Sequence, residues 1–293
     1  MKRYFNFGSF VFDIFNHLFL FFIVIVTLYP FLYVLLASFS DALRLTQHTG
    51  LIFKPLGFSL NAYALTFSNP MILRGYLNTL TIVVFGTVLN VFLTTMSAYV
   101  LSRRQFRASN FIMMMVTITM FISGGLVPFY LQVRALHLHN TYMAIIFPTA
   151  ISTFNLLILR NAFAAIPYSL EESARMDGAN DMTIYLRIMF PLALPTISVI
   201  ILYCAVGHWN GWFNAMLFLS KRETWPLQLI LREILINNSV SDMLTSVGGT
   251  DKEMIGESVK YATIVVATLP ILLVYPYLQK YFIHGVLVGS VKE

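Results

Sequence analysis

Ser169-Leu-Glu-Glu-Ser-Ala-Arg-Met-Asp-Gly-Ala-Asn180 is a polar stretch between two strongly apolar segments, and its reading decides how the chain is organised. Ser169 and Glu172 have the S-x-x-E spacing of a capping box, which predicts a helix starting there, just after Pro167. Leu170 to Met176 contains good helix formers. Gly178 stands where a left-handed residue ends a helix. Asn180 or Asp181 can then cap a second short helix over 182–189, which Pro191 ends. The expected product is a helix–glycine turn–helix elbow over 167–190, joining two membrane spans and shaped as a docking knob for another protein.

The flanks are membrane. Of 293 residues, 58% are hydrophobic and 11% charged, where soluble domains carry about 25% charged residues. Spans need about 20 apolar residues, and six segments qualify: 10–39, 75–101, 109–133, 141–163, 190–213 and 258–282. Pro30 is read as a kink in the first, and Gly124, Gly125 and Pro128 as loosening the far end of the third. Backbone groups in lipid must be satisfied internally, so long apolar runs imply helices. The fold class is therefore all-α integral membrane, with a six-span domain over 10–282, a terminal segment 1–9 and a tail 283–293.

The short basic segments set the orientation. Lys2 and Arg3, then Arg103, Arg104 and Arg107, then Lys280 and Lys292 all fall on one side in a six-span count. That side is read as the cytoplasm, with both termini on it. The elbow falls there too, and segments 40–74 and 214–257 are read as external polar loops. The first span has no small-x-small cleavage site and reads as an uncleaved signal anchor. The net charge of +6 serves this orientation, so no nucleic-acid partner is expected. The single cysteine, Cys204, lies in an apolar run and reads as a small buried hydrophobe.

Glu172-Ser-Ala-Arg-Met-Asp177-Gly178-Ala179, followed by Ile188-Met-Phe-Pro191-Leu-Ala-Leu-Pro195, resembles the EAA loop of ABC importer permeases. Ser173 stands where that family usually has alanine. Gly207-His-Trp-Asn-Gly-Trp-Phe213, Pro226-Leu-Gln228, Lys260-Tyr-Ala262, Tyr275-Pro276, Gln279-Lys-Tyr-Phe282 and Gly289-Ser-Val-Lys292 extend the likeness over nearly the whole chain. They are similar to the second permease subunit of carbohydrate importers, in the branch that takes up alginate and pectin oligosaccharides. Glu293 stands where many relatives have glycine.

The resemblance implies a type I importer permease of the inner membrane. Its partners would be a homologous second permease, two ATP-binding subunits and an external solute-binding protein. Glu171, Glu172, Ser173, Ala174, Asp177, Gly178 and Ala179 would form the coupling surface. Glu172 would face a basic group of the ATPase, and Ala174 and Ala179 would allow close approach. No G-x-x-x-x-G-K-[ST] occurs in the chain, so ATP and magnesium are expected on the partner subunits. The chain itself is expected to bind no cofactor or metal and to be no enzyme.

A saccharide path is expected near Asn155, His208, Trp209, Asn210 and Trp212, since aromatic rings cover sugar faces and amides bond hydroxyls. The alternative for each is an interfacial aromatic belt with asparagine bonding a neighbouring helix. Asn90 is a further intramembrane polar residue, and Arg160 reads as snorkelling. Gly207 and Gly211 have the spacing of a close helix-packing motif. His137 and His139 lack partners for a metal and read as a solvated loop, while Asp251, Glu253 and Glu257 form an external acidic patch. The alternative function, an ion-coupled carrier, requires ionisable groups deep in the spans, which are nearly free of Asp and Glu.

Overall fold

The computed structural model describes residues 7–237 and 256–273. Their regular structure is helical, apart from one isolated bridge between Ser40 and Phe58. The orienting charges at Lys2, Arg3, Lys280 and Lys292, the acidic residues Asp251 and Glu253, the end of the sixth expected span and the tail 283–293 lie outside the described residues. The chain divides into two compact units, residues 1–70 with 233–269 and residues 71–232 with 270–293.

In the first unit, α1 (Phe7–Ser38) runs as one helix through Pro30. Its side chains from Phe10 to Leu35 are largely exposed and apolar on all sides, which is the character of a helix immersed in lipid. The segment expected as a polar loop carries α2 (Ala42–Gln47) and α3 (Asn61–Ser68). Asp41 caps α2 by accepting from the Arg44 N–H at 3.3 Å. Tyr29 Oη accepts from the Ile52 N–H at 2.9 Å, and Ser38 Oγ and Tyr63 Oη lie 2.8 Å apart. The last helix, Gly256–Leu273, sets Tyr261 edge-on against Tyr33 at 5.8 Å.

The second unit is built on α4 (Pro70–Ser102), which starts with proline, where a missing N–H costs nothing. Its 33 residues span about 50 Å, more than the roughly 30 Å of bilayer hydrocarbon. The third expected span is not continuous. α5 (Ser109–Phe121) and α6 (Leu126–Ala135) meet at 119°. Ile122 is extended and Gly125 has φ of 86°, a region open to glycine, so the helix stops rather than loosens.

The fourth span bends by 47° between α7 (Met143–Ile146), with its 3₁₀ extension Phe147–Thr149, and α8 (Thr153–Ala165). Ser152 caps α8, accepting from the Asn155 N–H. Then comes the elbow helix α9 (Tyr168–Met176), followed by α10 (Asp181–Ile184), a π turn Tyr185–Met189 and α11 (Phe190–Leu192). α12 (Leu194–Trp209) leaves at 81° to this run. Beyond it lie α13 (Phe213–Phe218) and α14 (Leu227–Asn237).

In the stretch read as an external polar loop, the described residues up to Asn237 are packed and largely helical. Phe218, Leu219, Leu227, Ile230 and Leu231 are buried. α14 approaches α4 so closely that a Cβ on Gly75 would lie 2.6 Å from Ile230 Cδ1. Asn78 secures this end. Its Nδ2 donates to the carbonyls of Glu223 (2.8 Å) and Trp225 (2.9 Å), and its Oδ1 accepts from Tyr142 Oη at 2.8 Å. The loop holding His137 and His139 is tied down too, since Asn140 Oδ1 accepts from the Ser220 N–H at 2.7 Å.

Candidate functional site

The elbow helix is capped two residues before the expected Ser169, at Pro167. Ser169 then lies inside the first turn and makes no capping bond, so the expected capping box does not form. Pro167 has no side-chain acceptor to offer, and its carbonyl closes the first turn instead, accepting from the Leu170 N–H at 3.3 Å. The far end matches the glycine reading, because Gly178 has φ of 81°. Its N–H bonds to the Arg175 carbonyl at 3.0 Å and that of Ala179 to the Ala174 carbonyl at 2.9 Å.

Asn180 caps the return helix, its Oδ1 accepting from the Thr183 N–H at 2.8 Å. Pro191 does not end this helix. The Phe190 N–H reaches back five residues to the Tyr185 carbonyl, and the widened turn carries the chain past the proline.

The residues expected to form the coupling surface divide between two faces. Glu172, Ser173, Asp177 and Gly178 are exposed, as are the side chains of Leu170 and Met176 (87% exposed). Ala174 is buried in the core and Ala179 packs against it, so these small residues let the helix approach its own chain. Glu171 is 1% exposed. Its carboxylate accepts from Arg103 Nη1 at 2.6 Å and from Arg175 Nη2 at 3.0 Å.

Arg103 also donates from Nη2 to the Phe163 carbonyl at 2.9 Å, and its guanidinium lies 5.0 Å from the Tyr99 ring centroid. One cation thus joins the end of α4, the end of α8 and the elbow. Arg175 reaches Asp181 across the glycine turn at 2.5 Å. The hydrogen bond to Glu171 holds the Arg175 guanidinium above its ordinary pKa. Arg160 Nε donates to the Leu101 carbonyl at 3.1 Å and closes the end of α4.

The saccharide candidates gather around a cavity of about 590 Å³ between α4, α8, α12 and α13. Asn90, Asn155, Asn210, Asn214, His208 and Trp212 line it with further aromatic and small residues, and among the described residues no Asp, Glu, Lys or Arg is in the lining. Asn90 Nδ2 donates to the Thr149 carbonyl at 2.8 Å, and its Oδ1 lies 3.3 Å from His208 Nε2, which must then be the donor. Asn155 Nδ2 donates to Cys204 Sγ at 3.5 Å. His208 fits because α4 has Gly86 beneath it, where a Cβ would lie 2.5 Å from Nε2.

Trp209 is the exception among the candidates. It turns away from the cavity, 7% exposed, and meets the Tyr76 ring at 6.2 Å. Successive helix positions differ by about 100° in direction, so His208 and Trp209 cannot both face one cavity squarely. Gly207 lines the cavity, and a Cβ there would meet nothing within 4 Å, so it opens space rather than packing a helix.

Residues 90–288 match the family described as binding-protein-dependent transport system inner membrane component. The chain belongs to that family. This permease is 42% identical over 284 residues to protein LplC of Bacillus subtilis, covering 96% of this chain and 95% of that one. It is also 42% identical to the polygalacturonan/rhamnogalacturonan transport system permease protein YtcP of the same organism, over 96% and 98% of the two chains. A crystal structure of a bacterial ABC transporter involved in the import of the acidic polysaccharide alginate superposes with a TM-score of 0.88 at 32% identity, covering 96% of this permease and 100% of that chain.

Sequence reasoning passed over two groups in the permease. Arg103 was assigned to orientation alone, and nothing in its neighbourhood signals that Glu171, 68 positions on, is its partner. Gly86 likewise has no local mark, since its role depends on a ring from α12.

Proposed function

We propose that this membrane permease moves oligosaccharides inward as one half of a transmembrane pathway, driven by separate ATP-binding subunits. Family membership makes it a transport subunit. The observation that carries the substrate reading is the cavity wall, which among the described residues holds four asparagines, a histidine and aromatic rings and no carboxylate. Amides donate and accept, as sugar hydroxyls do, and aromatic faces cover the C–H faces of pyranose rings. The relatives named for alginate and for polygalacturonan support acidic oligosaccharides, alginate first and pectin-derived second.

On this reading the exposed face of α9, with Glu172, Ser173, Met176 and Asp177, docks in a cleft of an ATPase subunit. ATP and magnesium reside there. Glu171, turned inward, holds the elbow to α4 and α8 through Arg103. Closure of the ATPase pair moves the elbow, and the pathway alternates between inward-open and outward-open. An external solute-binding protein delivers the substrate, a homologous permease completes the pathway, and the elbow and both termini face the cytoplasm of the inner membrane.

The test is ATP hydrolysis by the assembled complex in lipid with its binding protein, across neutral and acidic oligosaccharides. Stimulation by one saccharide class, absent in Glu172→Lys, is expected. Failure of the chain to co-purify with any ATPase would sink the reading.

A further inference from the structure

Arg232 lies on α14, outside every segment expected to carry the substrate path. Its guanidinium carbon is 4.3 Å from the centroid of the Trp212 ring, and Trp212 lines the amide cavity. A guanidinium stacked on an aromatic face keeps its five N–H donors in its own plane, the fork that matches a carboxylate. Of those donors, Nη1 is directed to Met216 Sδ at 3.3 Å, and a thioether is a weak acceptor. No described carboxylate forms an ion pair with Arg232, which is half-buried. The cavity thus offers neutral amides and rings, and Arg232 stands outside its lining, in contact with it through the Trp212 ring.

Stacked on the indole face, the guanidinium keeps in-plane donors that a carboxylate can accept from. An anion arriving along the cavity would complete the site. We propose that Arg232, held over Trp212, reads the carboxylate of an acidic sugar unit in this cavity, while the asparagine amides take its hydroxyls. This rests on the acidic-oligosaccharide reading above and adds the residue that selects the charge.

The experiment uses the assembled importer in liposomes with two oligosaccharides of equal length and linkage, one with free carboxylates and one methyl-esterified. Arg232→Gln is expected to raise the KM for the acidic form about tenfold, the scale of a lost charge-assisted hydrogen bond, while changing that of the ester less than about twofold. Arg232→Lys keeps the charge but loses the fork and should fall between. Equal losses on both forms would make Arg232 a support for Trp212 and overturn the proposal, as would no change on either. A wild-type importer that takes only neutral oligosaccharides would overturn it while leaving oligosaccharide import standing. One stimulated by no saccharide would overturn both.

Discussion

Single residues here have roles set by direction as much as by type. Trp209 and Trp212 look equivalent in the sequence, yet the structure gives Trp212 to the cavity and Trp209 to a buried contact with Tyr76. Trp209→Ala is therefore expected to weaken the fold before it weakens transport. Truncating a buried tryptophan costs about 3–5 kcal/mol, so the thermal midpoint of the purified complex should drop well before the KM of surviving complex changes. An unshifted midpoint with reduced uptake would instead return Trp209 to the substrate path. Asn155, Asn210 and His208 line the cavity. Asn90 joins them through its bond to His208.

At the scale of elements, the elbow is a short helix fixed from inside by a buried carboxylate. Glu171 has two arginine partners, and one of them also closes the end of α8. Removing Arg103 leaves the buried Glu171 with Arg175 alone, a loss of up to about 3–5 kcal/mol, whereas removing both members of a buried pair is far milder. Arg103→Ala should destabilise the permease strongly, and Arg103→Ala with Glu171→Gln should recover part of the loss. Thermal unfolding of the single and double variants measures this, and simple additivity would argue against a coupled pair. The helix ends show how local rules compete. The capping-box spacing at Ser169 loses to Pro167, and the break at Pro191 is bypassed by a π turn that relocates the bend to Ala193.

At the scale of the second unit, one continuous core contains both Ala174 of the elbow and Cys204 of the cavity wall. Interiors packed at crystal-like density transmit displacement instead of absorbing it, so the elbow and the cavity are mechanically linked across about 20 Å of α4. Met176, 87% exposed at the elbow, reports on what covers that surface. Met176→Cys in a Cys204→Ala background should react with a membrane-impermeant maleimide from the cytoplasmic side only, and at least about tenfold more slowly once the ATPase subunits are bound, because labelling follows the exposed fraction. Labelling from the outer side would reverse the orientation, and unchanged labelling on assembly would move the docking surface elsewhere.

The sequence by itself determined the class of the molecule and the place of its elbow. Apolar runs of bilayer length and a glycine bounded by polar residues are local signals, and local signals survive without knowledge of distant neighbours. Tertiary structure alone decided where the spans break, which glutamate of the 171–172 pair turns inward, which aromatic rings face the cavity and that Arg232 stands over Trp212. Those outcomes depend on groups far apart in the chain, as with Asn90 and His208, 118 positions from each other. Such pairs leave no periodic trace in one chain, because packing and burial, not spacing, select them.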